Sequence, residues 1–114
     1  MSLIYKLLDR DAWLAALETG SYAGSPVDLA DGFIHFSTAQ QAQETAAKHF
    51  KGVEGLMLLS VDPARLGAQL TWEPSRGGAL FPHLYTAMPT SAVVAERAIA
   101  LDADGVPVIG ALEP

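Results

Sequence analysis

The chain has 114 residues, half of them hydrophobic, and no cysteine. Seven Lys and Arg stand against thirteen Asp and Glu, a formal charge of −6. Disulfides, zinc–thiolate sites, iron–sulfur clusters and cysteine nucleophiles are thereby excluded, and the acidic balance argues against broad nucleic-acid backbone binding, which needs a basic footprint.

This length suits a single domain over residues 1–114, and such a chain buries roughly 65% of its unfolded surface. No run approaches the ~20 apolar residues of a membrane span. The opening Met1-Ser-Leu-Ile-Tyr-Lys6 does not read as a signal peptide. A reducing, cytoplasmic setting is the expectation. A small nucleotide held by local donors remains compatible with the acidic charge.

Leu3–Leu8 reads as a first strand. Asp9 can cap a helix over 10–18, where Trp13, Ala16 and Leu17 share an apolar face. Gly20 is a natural stop. Residues 21–31 are rich in turn formers and read as an ordered loop with a functional use. In the next strand Phe33, His35 and Ser37 share one face, Ile34 and Phe36 the other. Thr38 with Gln41 spells a capping box for a helix ending at Gly52, with Ala39, Ala42, Ala46 and Phe50 as its core stripe.

Leu56–Val61 is nearly all apolar, as in a central strand buried on both faces. Asp62-Pro63 starts one helical turn. Gln69–Glu73 is another strand, followed by a loop at 73–78 rich in Gly and Pro. Leu80–Thr86 is a strand with Phe81, His83 and Tyr85 on one face, and Pro82 pushes it toward an edge or a bulge. The tail reads as a hairpin of Ala98–Leu101 and Val106–Ile109 around Ala103-Asp-Gly105, with a helix over 91–99 as the competing reading. Two helices in the N-terminal half followed by strands indicate an α+β domain with a mainly antiparallel sheet.

Two constellations carry chemistry. His35, Ser37 and Thr38 sit where a strand meets a helix start, a place of free backbone N–H groups, with an imidazole and two hydroxyls. The site suits a sugar, carboxamide or phosphate. Alternatively, the hydroxyls only cap the helix and His35 is a hydrogen-bonded interior residue. The second group is Trp72, Glu73, Arg76, His83 and Tyr85. Glu73 can accept a ribose hydroxyl or stabilise a developing cation, Arg76 can fork onto a phosphate or carboxylate, and Trp72 and Tyr85 can stack on a ring. Alternatively, Glu73 and Arg76 form a loop ion pair and the aromatics are core. The three histidines have no recognised metal-ligand spacing, so no metal site is expected. Asp28 and Asp31 read as turn-capping aspartates rather than cation ligands. Gly-x-Gly-x-x-Gly, Walker and Gly-x-Ser-x-Gly signatures are absent, which removes dehydrogenase, kinase and serine-hydrolase readings.

Over nearly its whole length the chain resembles the bacterial family called domain of unknown function 952. The resemblance rests on Ile4-Tyr-Lys6, Trp13, Gly20 with Tyr22, Gly24-Ser25, Asp31-Gly-Phe-Ile-His-Phe-Ser-Thr38, His49-Phe50, Leu70, Trp72-Glu73-Pro74 and Phe81-Pro-His-Leu-Tyr85. That family looks like an outlying member of the ADP-ribosyltransferase-like fold. More distantly, Phe33–Ala39 and its helix are similar to a strand–helix of NAD-dependent RNA 2′-phosphotransferases.

The resemblance implies a split sheet and a cleft for NAD or an ADP-ribosylated compound. Tyr5 and Lys6 take the first-strand position on the nicotinamide side, His35 and Ser37 the second motif, and His83 lies near the third. Lys6 stands where that fold usually has arginine or histidine, and Pro82-His83 where it usually has a catalytic glutamate, for which Glu73 on the neighbouring strand is a candidate substitute. The expectation is an NAD-using group-transfer enzyme with His35, Glu73 and His83 catalytic. Tyr5, Lys6, Ser37, Thr38, Trp72, Arg76 and Tyr85 bind the cofactor. The alternative is a ligand-binding or interaction domain without catalysis. The nucleotide readings require His35, Glu73, His83 and Tyr85 to converge on one cleft.

Overall fold

The computed structural model describes residues 2–75 and 77–112. The first strand, β1 (Ile4–Asp9), runs into helix α1 (Arg10–Thr19), and the break between them is made by Asp9, whose side chain accepts from the Ala12 amide at 2.6 Å. Gly20 closes the helix in the left-handed region (φ 81°). An N-cap carboxylate contributes about 1 kcal/mol, so Asp9→Ala should lower stability by that amount in urea unfolding, with no change in the slope of the transition.

Residues 21–31 are more than a loop. They hold a two-residue strand, β2 (Ser21–Tyr22), and a short helix, α2 (Pro26–Asp31). Ser25 and Asp28 form a reciprocal capping box, Pro26 occupies the first turn, and Gly32 ends the helix. Six residues are too few to show an apolar stripe, which hid this helix from periodicity. The described residues therefore contain three α-helices in the first half of the chain, not two.

Then come β3 (Ile34–His35), α3 (Ala42–His49), β4 (Leu56–Val61), β5 (Leu70–Ser75), β6 (Ala79–Leu84), β7 (Met88–Pro89) and β8 (Val93–Ile99), with short 3-10 turns around Pro63–Arg65, Gly67–Gln69 and Thr90–Ala92. Thr38 and Gln41 do exchange capping bonds, at 3.0 and 3.3 Å, but around a turn, and regular helix begins only at Ala42. The competing helix at 91–99 is overturned. Val93–Ile99 pairs along β4, and the expected tail hairpin is reduced to a single bridge, Leu101 to Pro107, over a turn held by Asp102.

Among the described residues two three-stranded antiparallel sheets form, ordered β1-β4-β8 and β3-β6-β5, beside a small β2-β7 pair. The molecule is thus α+β and antiparallel throughout its ladders. β4 is the buried central strand its composition suggests. Met57, Leu59 and Val61 face Trp13 and Ala16 of α1, while Leu56 and Leu58 face Ala42 and Ala46 of α3. Trp13 is also pinned across the core, its Nε1 donating to Glu96 of β8 at 2.7 Å.

Pro82 does not sit on an edge strand, as expected, but in the centre of the second sheet. The reason is where β3 leaves. Phe36 N donates to the Pro82 carbonyl at 3.0 Å, and the return bond, which proline cannot give, falls where the chain turns away. One residue later Ser37 pairs with Tyr5 of β1 instead, with bonds of 2.7 and 2.9 Å in both directions. The segment 34–37 therefore crosses from the second sheet to the first. Ile34, Phe36 and Leu84 pack into the core shared with α1, and alternation puts His35, Ser37 and His83 on the opposite face.

Candidate functional site

A cavity of about 730 Å³ opens beside this crossing, with Tyr5, Lys6, His35, Ser37, Thr45 and His83 among its lining residues. Its size lies in the range of small-molecule sites. His35 and His83 are direct cross-strand partners, their rings 5.6 Å apart. Phe33 joins them, stacked on His83 at 4.1 Å and tilted against His35 at 4.5 Å and Tyr85 at 5.2 Å.

Two hydrogen-bonded groups meet this surface. The first centres on Asp28, a buried carboxylate on α2. Its oxygens accept from Lys6 Nζ (2.8 Å), the Ser25 and His35 amides (2.9 and 3.1 Å), and lie 2.6 Å from His35 Nδ1. Lys6, equally buried, gives a second bond to the His35 carbonyl at 3.0 Å. The other ring nitrogen of His35, Nε2, lies 2.9 Å from the half-exposed Asp31. Burial pushes the Asp28 pKa up, but the His35 bond, the charge and bond of Lys6 and the Ser25 amide bond outweigh it and hold the group well below the carboxylate range. Burial draws the Lys6 pKa down against the opposing pull of Asp28. Gly24 makes room for this carboxylate: at φ 121° it passes so close that a Cβ there would lie 2.8 Å from Asp28 Cβ.

The second group is a carboxylate–imidazole pair. Glu73 on β5 lies 2.8 Å from Nδ1 of the buried His83 and also accepts from the Tyr85 hydroxyl at 2.6 Å. The Tyr85 bond, then the His83 bond, lower the Glu73 pKa, and the same contact raises that of Tyr85. With Nδ1 engaged, Nε2 is the nitrogen His83 can offer a ligand. Ser37 and Thr45 add a hydroxyl pair at 2.9 Å.

The structure thus brings Tyr5, Lys6, His35, Ser37 and His83 to the cavity, with Glu73 one bond behind His83. His35, His83 and Tyr85 are linked through Phe33, and Glu73 links His83 to Tyr85. Of the four residues required to converge, His35 and His83 line the cavity, while Glu73 and the 44% exposed Tyr85 reach it only through His83 and Phe33. Thr38 is engaged with Gln41 and does not line the cavity. Trp72 is opposite Pro82 in the register and projects from the other face, 45% exposed. Arg76 lies outside the described residues. The expected capping role of Asp28 holds in its capping box with Ser25, but its buried pairing with Lys6 and His35 goes beyond it, and Phe33 and Tyr22 carry no site signal in the sequence. The Ser25-Pro26-x-Asp28…Gly32 signature marked the helix that carries Asp28; no local pattern marks its pairing with Lys6.

These features define an α+β protein with antiparallel sheets and a ligand-sized cavity where the two three-stranded sheets meet. The chain belongs to the family described as protein of unknown function, DUF952, whose model matches residues 7–96. It is similar to protein CC0527 from Caulobacter crescentus. The crystal structure of that protein is 57% identical, with 95% of each chain covered and a TM-score of 0.92. A double-methionine variant of it is 56% identical with the same coverage and TM-score. Its solution NMR structure is 57% identical, covering 95% of this chain and 93% of the other, at a TM-score of 0.84. No curated protein matches.

Proposed function

We propose that the cavity binds a nucleotide of the NAD or ADP-ribose type on an ADP-ribosyltransferase-like split sheet, and that the Glu73–His83 pair serves group transfer there. The observation that carries this reading is the His83 imidazole on the wall of a cavity of about 730 Å³, with the Glu73 carboxylate bonded behind it. The alternation of strand and helix from β1 to α3, followed by strands and 3-10 turns, supports the fold reading.

The donor set fits such a ligand in part. Ser37, Thr45 and His83 offer hydroxyl and imidazole contacts to sugar oxygens, and Phe33 braces the imidazoles. Lys6 is committed to Asp28, so its charge is not available for a pyrophosphate. NAD, when bound, supplies a ribose–nicotinamide bond whose cleavage develops positive charge on the sugar. Glu73 provides fixed negative charge behind His83, and His83 Nε2 can take a proton from an attacking acceptor.

Binding without catalysis is favoured by one observation: Asp28 ties Lys6 and His35 to each other, so these residues are satisfied internally. That reading predicts binding with no NAD turnover. Isothermal titration with NAD and with ADP-ribose tests the common claim. At least one should bind with a Kd below millimolar. Failure of both at millimolar concentration refutes the proposal.

A further inference from the structure

One polar atom at this site is left unsatisfied. Tyr22, on β2, lines the cavity and is 5% exposed, and its hydroxyl is enclosed with no hydrogen-bond partner among the described residues. A buried tyrosine hydroxyl ordinarily finds a partner, and leaving one unpaired is unfavourable. The ring alone accounts for the packing: Tyr22 sits in the core cluster with Trp13 and Met88 and pairs with Met88 in the β2-β7 ladder. Phenylalanine would supply that ring without the unpaired oxygen.

The surroundings set what the hydroxyl can meet. Burial, then the charges of Asp28 and Asp9, push its pKa up, so it remains an O–H donor. Asp28 is occupied by Lys6, His35 and Ser25, and Asp9 by the Ala12 amide. Asp9, Asp28 and Asp31 outnumber Lys6 among the carboxylate and ammonium groups lining the cavity, and Asp28 and Asp9 are the charges felt by Tyr22. That balance repels a phosphate and leaves a neutral acceptor as the complement to the donor.

We infer that the Tyr22 hydroxyl anchors the ligand, and that this end of the cavity takes an uncharged carbonyl or carboxamide oxygen rather than a phosphate. This rests on the reading of the cavity as a nucleotide site, and adds to it a residue and a polarity. NAD and ADP-ribose are suitable probes, because they differ by one carboxamide-bearing ring.

The test is calorimetric titration of both compounds into the wild-type protein and Tyr22→Phe, with thermal unfolding of the ligand-free proteins alongside. NAD should bind Tyr22→Phe about tenfold more weakly than wild type, ADP-ribose should bind both equally, and the ligand-free variant should melt no lower than wild type. If wild type binds neither compound, the nucleotide reading falls and takes this inference with it. If wild type binds NAD and the variant binds it as well, or loses both compounds equally, the inference alone is overturned. A variant that melts well below wild type gives the hydroxyl a structural role and overturns it too.

Discussion

Asp28→Asn should destabilise the protein by about 3–5 kcal/mol in urea unfolding, the cost of leaving one member of a buried ion pair without its counter-charge. The substitution conserves shape and keeps an acceptor for the His35 amide. What it removes is the charge 2.8 Å from Lys6, in a place where both side chains are almost wholly out of solvent. A second substitution isolates the pair. Lys6→Met combined with Asp28→Asn should cost clearly less than the sum of the two single changes, because the stranded ammonium is gone. Additive costs, or a single-variant effect under ~1 kcal/mol, would mean that the pair does not hold α2 to β1.

The pH dependence carries the same signature. Asp28 has a lowered pKa in the fold, so its stabilisation is present above the unfolded value near ~4 and is lost as pH falls toward the depressed one. The wild-type acid limb should therefore be steeper than that of Asp28→Asn. The variant should differ at the alkaline side. Burial already lowers the Lys6 pKa against the pull of Asp28, and without Asp28 that pull vanishes. Between the lowered value and the ordinary one near ~10.4 the unfolded chain binds more protons, so the variant should regain stability as pH rises.

Replacing His83 by alanine should lower turnover of NAD about 10²- to 10⁴-fold if the site is catalytic, the usual worth of a general acid–base group. His83 is buried and stacked on Phe33, so a loss of folding must be separated from a loss of chemistry. Glu73→Gln makes that separation. Glutamine can still accept from His83 and from Tyr85, yet it carries no charge. It should leave folding and KM near wild type and reduce kcat. Nicotinamide release by the three proteins, followed by chromatography, reads the effect. Equal rates in all three would remove His83 and Glu73 from the reaction and leave binding alone.

Much of the molecule could be read from local pattern. The apolar run Leu56–Val61 announced a central strand, and Asp9 announced the start of α1. Alternation alone groups His35 with Ser37, and His83 with Phe81 and Tyr85. These signals are local, because period and capping depend on neighbours in sequence. The misses have another origin. Pro82 is tolerated in a central strand only because β3 departs at Phe36, a fact of tertiary path. Val93–Ile99 becomes strand because β4 offers it an edge. Asp28 looked like any loop aspartate; it is a buried hub because Lys6 and His35 arrive there from other elements. Tyr22 gave no sign that its hydroxyl would be enclosed and unpaired.

Amide chemical-shift mapping during titration with NAD and ADP-ribose tests whether this cavity is a nucleotide site. Saturable shifts should concentrate at Tyr5, Tyr22, His35, Ser37, Thr45 and His83, with Trp72 on the opposite face unmoved. Shifts absent at millimolar ligand, or gathered around Trp72 and away from the crossing of the two sheets, would contradict the nucleotide reading.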